Sequence, residues 1–380
     1  MKNVGAHLFL LLNIIFCIGI VFIIAVYPPP QTVNSLIPVD ETRIRQAEWE
    51  AQDCLGVQCK LCPFLCFLPE GARGICRVRM NVGGRLKTLV YAQPVSVHID
   101  PIEKKPVYHM LPGSRVFSIA TVGCNLKCSF CQNWEISQCY PEEAENPRKI
   151  LTPEEVVAAA VENNCDSIAY TYSEPIVFYE YVIDTAKLAK AKGLKNVLVS
   201  AGYINPEPLK KLAPYFDVIK IDLKGFNKQF YRKVVGGDLE YVLAALKELK
   251  KQGIMTEIVN LVVPTLNDDM AEIARMCGWI YDNMGPDTPL FFSRFTPQYK
   301  LGNLPSTPIE TLDKAREIAL KSGLRYVYIG NVPGHPGENT YCPNCGRILI
   351  QRYGYAVGEN NIRNGKCIFC GEKIPGIWDK

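Results

Sequence analysis

The sequence has little net charge. Its 380 residues include 42 lysines and arginines against 38 aspartates and glutamates, which gives a formal charge of +4 and a pI of about 8.2. A nucleic-acid-binding domain typically has a pI above about 9, with its basic residues clustered on one face. The composition therefore argues against a nucleic-acid partner.

The sequence also lacks the Gly-rich fingerprint of dinucleotide-binding folds. No such motif follows Val116–Val122, the first apolar run that is typical of a buried strand. This absence argues against a doubly wound open sheet, which is the alternative to the barrel fold described next. No low-complexity tract is present, and no internal repeat beyond alternating strand and helix patterns.

Residues 112–335 alternate short apolar runs with helical patterns. The predicted strands are Val116–Val122, Ser167–Tyr172, Lys195–Ser200, Asp217–Asp222, Met255–Val263, Leu290–Phe295 and, more weakly, Tyr326–Ile329. The predicted helices are Pro153–Asn163, Val177–Lys192, Pro206–Leu212, Glu240–Gln252, Met270–Met284 and Pro308–Ser322. This alternation predicts an α/β fold with a parallel sheet, and six or more units predict a full or partial (β/α) barrel over residues 101–335.

Cysteine is abundant and unevenly distributed. Eleven of the sixteen cysteines fall into three clusters, which indicates metal sites rather than a disulfide framework. The clusters are Cys59, Cys62, Cys66 and Cys76; then Cys124, Cys128 and Cys131; and last Cys342, Cys345, Cys367 and Cys370. The first and last clusters define two small Cys-rich metal modules, over residues 51–100 and 336–380, which flank the predicted barrel.

The central cluster has the spacing C-x3-C-x2-C. Thiolates of Cys124, Cys128 and Cys131 can hold three irons of a [4Fe–4S] cluster and leave the fourth iron open. A cluster that only transfers electrons normally has all four irons bound by protein, so the triplet predicts a cluster that does chemistry. The alternative is a zinc knuckle, but zinc sites usually come as two pairs of ligands.

The two flanking clusters each supply four thiolates. Four thiolates can close either a zinc tetrahedron or an iron–sulfur cluster. The C-terminal cluster consists of two C-x2-C-G knuckles, Cys342–Gly346 and Cys367–Gly371, which favour a structural Zn²⁺. The tighter spacing of the N-terminal cluster leaves zinc and iron–sulfur both open.

The phrase around the triplet resembles the signature of the radical S-adenosylmethionine (SAM) superfamily. Residues Gly123–Asn133 read G-C-N-L-K-C-S-F-C-Q-N, with the aromatic Phe130 just before the last cysteine. The resemblance implies that SAM chelates the open iron and that Phe130 flanks its adenine. It also implies that one electron, from a reductant such as ferredoxin or flavodoxin, cleaves SAM to methionine and a 5′-deoxyadenosyl radical.

Further motifs of the family follow the predicted strands, where a barrel carries its active site. Tyr170–Pro175 (Y-T-Y-S-E-P) is similar to the family's GGE-type segment, although the two glycines are absent, and it resembles Y-x-Y-x-E-P phrases of the activase-like branch. Ser200–Tyr203 (S-A-G-Y) resembles S-N-G-Y, and Asp222–Lys224 is a D-x-K phrase. The resemblance implies that Glu174, Ser200, Asp222 and Lys224 hold SAM.

Other strand-end residues have two interpretations. Asn267 and Asp268 either touch the adenosine or cap the next helix. Arg294 is a candidate contact to substrate or SAM at the barrel mouth. His98 and His109 are candidate proton donors, although structural roles are the more common ones for histidine.

Several phrases together resemble one family, the radical SAM enzymes of the AmmeMemoRadiSam system, which are similar to glycyl-radical-enzyme activases. The phrases are C-x-L-C-P-x2-C and G-x-C-x-V-R over residues 59–79, D-P-I-E-K-K-P-V-Y-H-M-L-P-G-S over residues 100–114, Gly123–Trp134, and N-T-Y-C-P-N-C-G over residues 339–346. The resemblance covers about residues 54–378. It implies association with Memo-like and AMMECR-like proteins.

Three functions follow as hypotheses. The first is a radical SAM enzyme that takes hydrogen from a protein glycine or a small molecule, similar to pyruvate formate-lyase activating enzymes. The second is an RNA-modifying radical SAM enzyme, against which the modest charge counts. The third is a membrane-tethered iron–sulfur electron carrier, in which SAM binds nowhere.

An apolar run precedes the barrel. Leu8–Val26 is broken only by Asn13 and is just long enough to span a bilayer as a helix. No A-x-A cleavage pattern follows it, so residues 1–27 are predicted to be an uncleaved membrane anchor and residues 28–50 a linker. Lys2 favours a body outside the cell, but thiolate and cluster chemistry favours the reducing cytoplasm, which we expect.

Overall fold

The computed structural model describes residues 44–144 and 150–379. The predicted membrane anchor over residues 1–27 and most of the predicted linker lie outside the described residues. No helix within the described ranges combines the length and the apolar character needed to cross a bilayer.

The N-terminal module consists of two small antiparallel sheets. Its strands are β1 (Arg45–Gln46), β2 (Glu50–Asp53), β3 (Gly56–Cys59), β4 (Phe67–Leu68), β5 (Arg79–Val82) and β6 (Arg85–Thr88), in the orders β1-β6-β5 and β2-β3-β4. Strand β1 pairs Arg45 with Thr88 and β2 begins at Glu50, so the folded part starts inside the range predicted as linker. Trp49, between these strands, packs edge-on against Tyr179.

The central sheet has eight strands. They are β7 (Ser96–Pro101), β8 (Arg115–Ala120), β9 (Ser167–Tyr170), β10 (Lys195–Ser200), β11 (Val218–Asp222), β12 (Met255–Val262), β13 (Leu290–Arg294) and β14 (Val327–Gly330). They lie side by side in chain order, and β8–β14 are all parallel. With β7 and β14 at its two edges, the sheet is a partial barrel, as the alternating pattern predicted.

Strand β7 is antiparallel and lies in the range predicted for the N-terminal module. Its residues Ser96–Pro101 pair with Ala120–Arg115 of β8, so the sheet begins before residue 101. The apolar side chains of Val97 and Ile99 are 40% and 39% exposed. An edge strand with one face in solvent lacks the two apolar faces by which the other strands were recognised.

Eight α-helices lie in the described ranges. They are α1 (Trp134–Ser137), α2 (Pro153–Glu162), α3 (Tyr179–Ala191), α4 (Pro206–Leu212), α5 (Lys228–Phe230), α6 (Leu239–Lys251), α7 (Met270–Met284) and α8 (Ile309–Lys321), and all six predicted helices are confirmed among them. Local capping explains several starts. At α2, Thr152 Oγ1 accepts from Glu155 N at 3.3 Å and Glu155 accepts from Thr152 N at 2.7 Å, a capping box followed by proline.

The C-terminal module closes the end of the barrel where the parallel strands begin. Its strands are β15 (Thr340–Tyr341), β16 (Ile348–Tyr353), β17 (Ala356–Asn360), β18 (Ile362–Arg363) and β19 (Lys366–Cys367). Arg352 reaches the loop that leads into β8, donates to Tyr108 O at 3.0 Å and lies 3.6 Å from the buried carboxylate of Glu103. The opposite end, where the strands finish, stays available for the site.

Candidate active site at the ends of the strands

The cysteine triplet lies in the loop after β8. Gly123 begins this loop with φ +101°, and a Cβ there would lie 2.6 Å from a methyl of Val78, so the turn requires glycine. Within the loop, Leu126 N donates to Cys124 Sγ at 3.3 Å. Cys131 Sγ lies 3.1 Å from the hydroxyl of Ser137 on α1. Backbone and hydroxyl groups therefore orient sulfurs of the triplet.

The triplet has the chemistry of a metal-cluster ligand set. Burial, reinforced by the nearby Glu174 carboxylate and the other two thiols of the triplet, raises the pKa of Cys124 well above its usual value. Burial also raises the pKa of Cys128 to about 12. Lys224 opposes the shift at Cys128. Such buried thiols become thiolates only when a metal replaces the proton. The three sulfurs thus fit a [4Fe–4S] cluster bound by Cys124, Cys128 and Cys131.

Glu174 and Ser200 lie together beside the triplet. Glu174 precedes the short 3-10 helix Pro175–Phe178, and its Oε1 accepts from Ser200 Oγ at 2.7 Å while its Oε2 accepts from Ala201 N at 2.9 Å. Burial raises the pKa of Glu174, and its carboxylate in turn contributes to the raised pKa of Cys124. The carboxylate is therefore held rigidly near the cysteine sulfur.

Asp222 and Lys224 approach the triplet from the end of β11. Lys224 Nζ lies 3.2 Å from Asp222 Oδ2 and 5.7 Å from the centre of the Phe130 ring. Burial opposes ionisation of Asp222, but the ammonium groups of Lys220 and Lys224 hold its pKa at about 2. The negative charge of Asp222 and the nearby Cys128 raise the pKa of Lys224 in spite of its burial. Both groups are therefore charged at neutral pH.

The protein's similarity to known proteins agrees with this geometry. The family model of the radical SAM superfamily matches residues 118–277, which include the triplet, Glu174 and Lys224. The uncharacterized protein MJ0808 of Methanocaldococcus jannaschii is 48% identical over 328 residues, covering 86% of this chain and 97% of that protein. The chain belongs to the radical SAM superfamily.

More distant similarities lie in the same superfamily. The pyruvate formate-lyase-activating enzyme of Clostridium pasteurianum is 23% identical over 225 residues, covering 53% of this chain and 87% of that protein. A radical SAM methyltransferase from Sphaerobacter thermophilus has a similar structure, with a TM-score of 0.45 and 15% identity over 60% of this chain and 70% of that one. The superfamily implies a [4Fe–4S] cluster and SAM as the cofactors of this radical SAM enzyme.

A cluster of charged and polar side chains lies inside the barrel, and the sequence did not place it in the site. Asp100 on β7 pairs with Lys104 at 2.8 Å and Lys105 at 2.6 Å and accepts a hydrogen bond from Tyr172 OH. Lys105 Nζ lies 4.1 Å from the centre of the Tyr172 ring, and burial lowers the pKa of Lys105 to about 8. Lys220, a lysine inside the apolar strand V-I-K-I-D, lies near Lys105 and pairs with Asp222.

Two strand-end candidates of this radical SAM enzyme, Asn267 and Asp268, are hydrogen-bonded to backbone groups around the loop after β12. Asn267 accepts from Val263 N at 2.6 Å and donates to Lys224 O at 2.7 Å and to Leu261 O at 2.8 Å. Asp268 accepts from Thr265 N at 2.9 Å. The prediction that one of them caps the next helix is wrong, because the N-cap of α7 is Asp269; Asn267 and Asp268 hold the preceding loop.

The remaining candidates, His109, His98 and Arg294, lie in different parts of the fold. His109 lies at the closed end of the barrel, with its ring nitrogens 2.7 Å from Tyr328 OH and from Pro375 O, and burial lowers its pKa to about 4. The hypothesis of a proton donor there is wrong because the ring is buried away from the site. His98 is exposed and lies edge-on to Tyr172. Arg294 donates to Thr307 O at 3.0 Å.

The C-terminal cysteines form a compact sulfur site. Their four Sγ atoms all lie within 4.8 Å of one another, with Cys342 3.6 Å from Cys370 and Cys345 3.8 Å from Cys367. Four thiolates on one tetrahedral Zn²⁺ lie about 3.8 Å apart, given Zn–S bonds of about 2.3 Å. The site therefore has the size of a single metal ion.

Proposed function

We propose that this radical SAM enzyme reductively cleaves SAM to methionine and a 5′-deoxyadenosyl radical, which takes a hydrogen atom from a substrate at the barrel mouth. One arrangement carries the proposal: the triplet lies beside the Glu174–Ser200 pair and the Asp222–Lys224 pair, at the ends of neighbouring strands. The cluster, when bound by the triplet, supplies one electron to SAM.

The side chains around the triplet have complementary tasks in this proposal. The Glu174 carboxylate accepts hydrogen bonds from the ammonium group of SAM, and Ser200 holds that carboxylate in position. The Lys224 ammonium binds the SAM carboxylate, and Asp222 accepts from the ribose hydroxyls. Phe130, which stacks on Phe230 with ring centres 6.2 Å apart, gives the adenine an apolar wall.

We place the enzyme, as a proposal, in the AmmeMemoRadiSam family, with Memo-like and AMMECR-like proteins as partners. The motifs over residues 59–79 and 100–114 support this placement, and the similarity to a pyruvate formate-lyase-activating enzyme supports an activase-like reaction. The hydrogen donor is then a protein glycine or a small molecule. The electron donor is a ferredoxin or a flavodoxin.

The binding of SAM to the cluster is testable by electron paramagnetic resonance (EPR) spectroscopy. The full chain is reconstituted with iron and sulfide without oxygen, reduced, and measured with and without SAM. We expect SAM to change the spectrum of the reduced cluster because the open iron gains ligands. An identical spectrum at saturating SAM would overturn the proposal and favour an electron carrier.

We further propose that residues 1–27 anchor the enzyme to a membrane with its body in the cytoplasm. The apolar run Leu8–Val26 supports the anchor. A chain that starts at residue 44 keeps β1 complete and removes the run. We expect the full chain in the membrane fraction of the producing cells and the shortened chain in the supernatant; equal partition of the two would contradict the anchor.

A further inference from the structure

The four cysteines of the N-terminal module surround a common cavity. Cys59 ends β3, Cys62 and Cys66 lie in the loop to β4, and Cys76 lies before β5. Backbone bonds hold the loop, with Cys59 N donating to Cys66 O at 2.9 Å and Leu65 N donating to Cys62 O at 3.1 Å. The four thiols therefore face one space in the folded chain.

The spacing of these sulfurs differs from that of the C-terminal site. In the described part of the chain, only Cys342, Cys345, Cys367 and Cys370 gather at least three ligand atoms that all lie within 4.8 Å of one another. No three sulfurs of the N-terminal module do so, and neither do the three of the SAM triplet. The N-terminal sulfurs are thus spaced more widely than those of the C-terminal site. A cubane holds its thiolates on four separate irons, which requires the wider spacing.

The wall of the cavity suits a cluster as well. Leu61, Ile176 and Val177 provide apolar surface, and Arg79 lies in the wall at 1% exposure. The two Nη atoms of Arg79 donate hydrogen bonds to the Glu180 carboxylate and to Glu48 O, but its buried Nε has no hydrogen-bond partner among the described residues. A buried N–H is costly unless it is bonded, and a cluster with four thiolates carries negative charge and accepts from N–H groups.

We propose that Cys59, Cys62, Cys66 and Cys76 bind a second [4Fe–4S] cluster, with Arg79 donating to it through Nε. All four irons then have protein ligands, which is the arrangement of an electron-transfer cluster. The site lies next to the triplet, because Asn125, the neighbour of Cys124, lines the cavity, and a Cβ on Gly123 would lie 3.0 Å from Cys76 O.

The position assigns a relay role to this cluster. One electron from a one-electron donor of the ferredoxin or flavodoxin class reduces the second cluster and passes from there to the site at the triplet. The relay rests on the proposed function, whereas the occupancy of the N-terminal site by iron does not. The two ideas can therefore fail separately.

The test uses the full chain with Cys124→Ala, Cys128→Ala and Cys131→Ala together, which removes the SAM triplet. After anaerobic reconstitution, iron, sulfide and zinc are counted, and the reduced protein is examined by EPR. We expect about four irons and four sulfides per chain, and a signal that SAM leaves unchanged. A chain with two zinc ions and no iron would overturn the proposal.

Two further variants make the assignment specific. Cys345→Ala in the same background is expected to lose the zinc proposed for the C-terminal site and keep the iron. Cys62→Ala, in a chain with an intact triplet, is expected to lose the SAM-insensitive signal and keep the SAM-responsive one. Two results together would also overturn the second cluster. Soluble, folded Cys62→Ala would lose both EPR signals, and the variant that lacks the triplet would bind no iron. If only the SAM response of the wild type fails, the proposed function fails and the second cluster stands.

Discussion

Replacing Glu180 with alanine is expected to lower the free energy of unfolding of the cluster-free protein by about 3–5 kcal/mol, because the charge of Arg79 is left buried and uncompensated. The two side chains are 2% and 5% exposed and are joined by hydrogen bonds of 2.8 and 3.1 Å. Glu180 also accepts from Glu48 N at 2.7 Å. The pair connects β5 of the N-terminal module to α3 of the barrel, so its loss weakens the contact between the two.

Denaturant unfolding at neutral pH measures this effect. Glu180→Gln keeps the size of the side chain and removes its charge, and most of the loss is expected there as well. The matched control is Glu207→Ala, which breaks the exposed pair of Lys210 and Glu207, 2.6 Å apart, and is expected to leave the unfolding midpoint unchanged. Equal midpoints for wild type and Glu180→Ala would show that the buried pair contributes little.

Glu174→Gln is expected to raise the Kd for SAM about 10- to 100-fold, because it removes a charge-assisted hydrogen bond to an ammonium group worth about 1.5–3 kcal/mol. Equilibrium dialysis of SAM against the reconstituted, anaerobic protein measures the change. The matched control is Glu272→Gln, since Glu272 is also buried but lies on α7 and accepts from Phe226 N at 3.1 Å. An unchanged Kd in Glu174→Gln would remove this residue from the SAM site.

The same carboxylate gives a pH dependence with a defined sign. Burial raises the pKa of Glu174, so the group takes up a proton at a higher pH than an exposed glutamate does. Protonation removes the negative charge, and SAM affinity therefore falls as the pH is lowered through this raised pKa. Glu174→Gln has no such proton to bind and is expected to lose this component of the pH profile.

The parallel core was predictable because its strands are covered on both faces. Helices α4 and α7 occur over the predicted residues, Pro206–Leu212 and Met270–Met284, and strand β10 occurs over the predicted Lys195–Ser200. Strand β7 was not recognised because Val97 and Ile99 face solvent. The contact of Arg352 with Glu103 joins residues far apart in the chain, and no local pattern indicates it.

The candidate site was predictable in so far as its residues follow consecutive strands. The ends of parallel strands meet at one edge, and this brought Glu174 to Ser200 and Lys224 to Phe130. The cluster of Asp100, Lys105 and Tyr172 could not be foreseen, since its members come from an unrecognised edge strand and two loops. Cysteine spacing alone also could not decide between a zinc ion and an iron–sulfur cluster in the N-terminal module. That choice depends on the distances between the sulfur atoms in the folded chain.

The formation of 5′-deoxyadenosine is the direct measure of SAM cleavage by this enzyme. Wild type, Cys128→Ala and Cys277→Ala are reconstituted, reduced and given SAM without oxygen, and the nucleoside and methionine are quantified. Cys277 is a matched control, because it is fully buried on α7 and belongs to none of the three cysteine clusters. We expect product from wild type and Cys277→Ala and only background from Cys128→Ala. Equal product from Cys128→Ala and wild type would contradict SAM cleavage at the cysteine triplet.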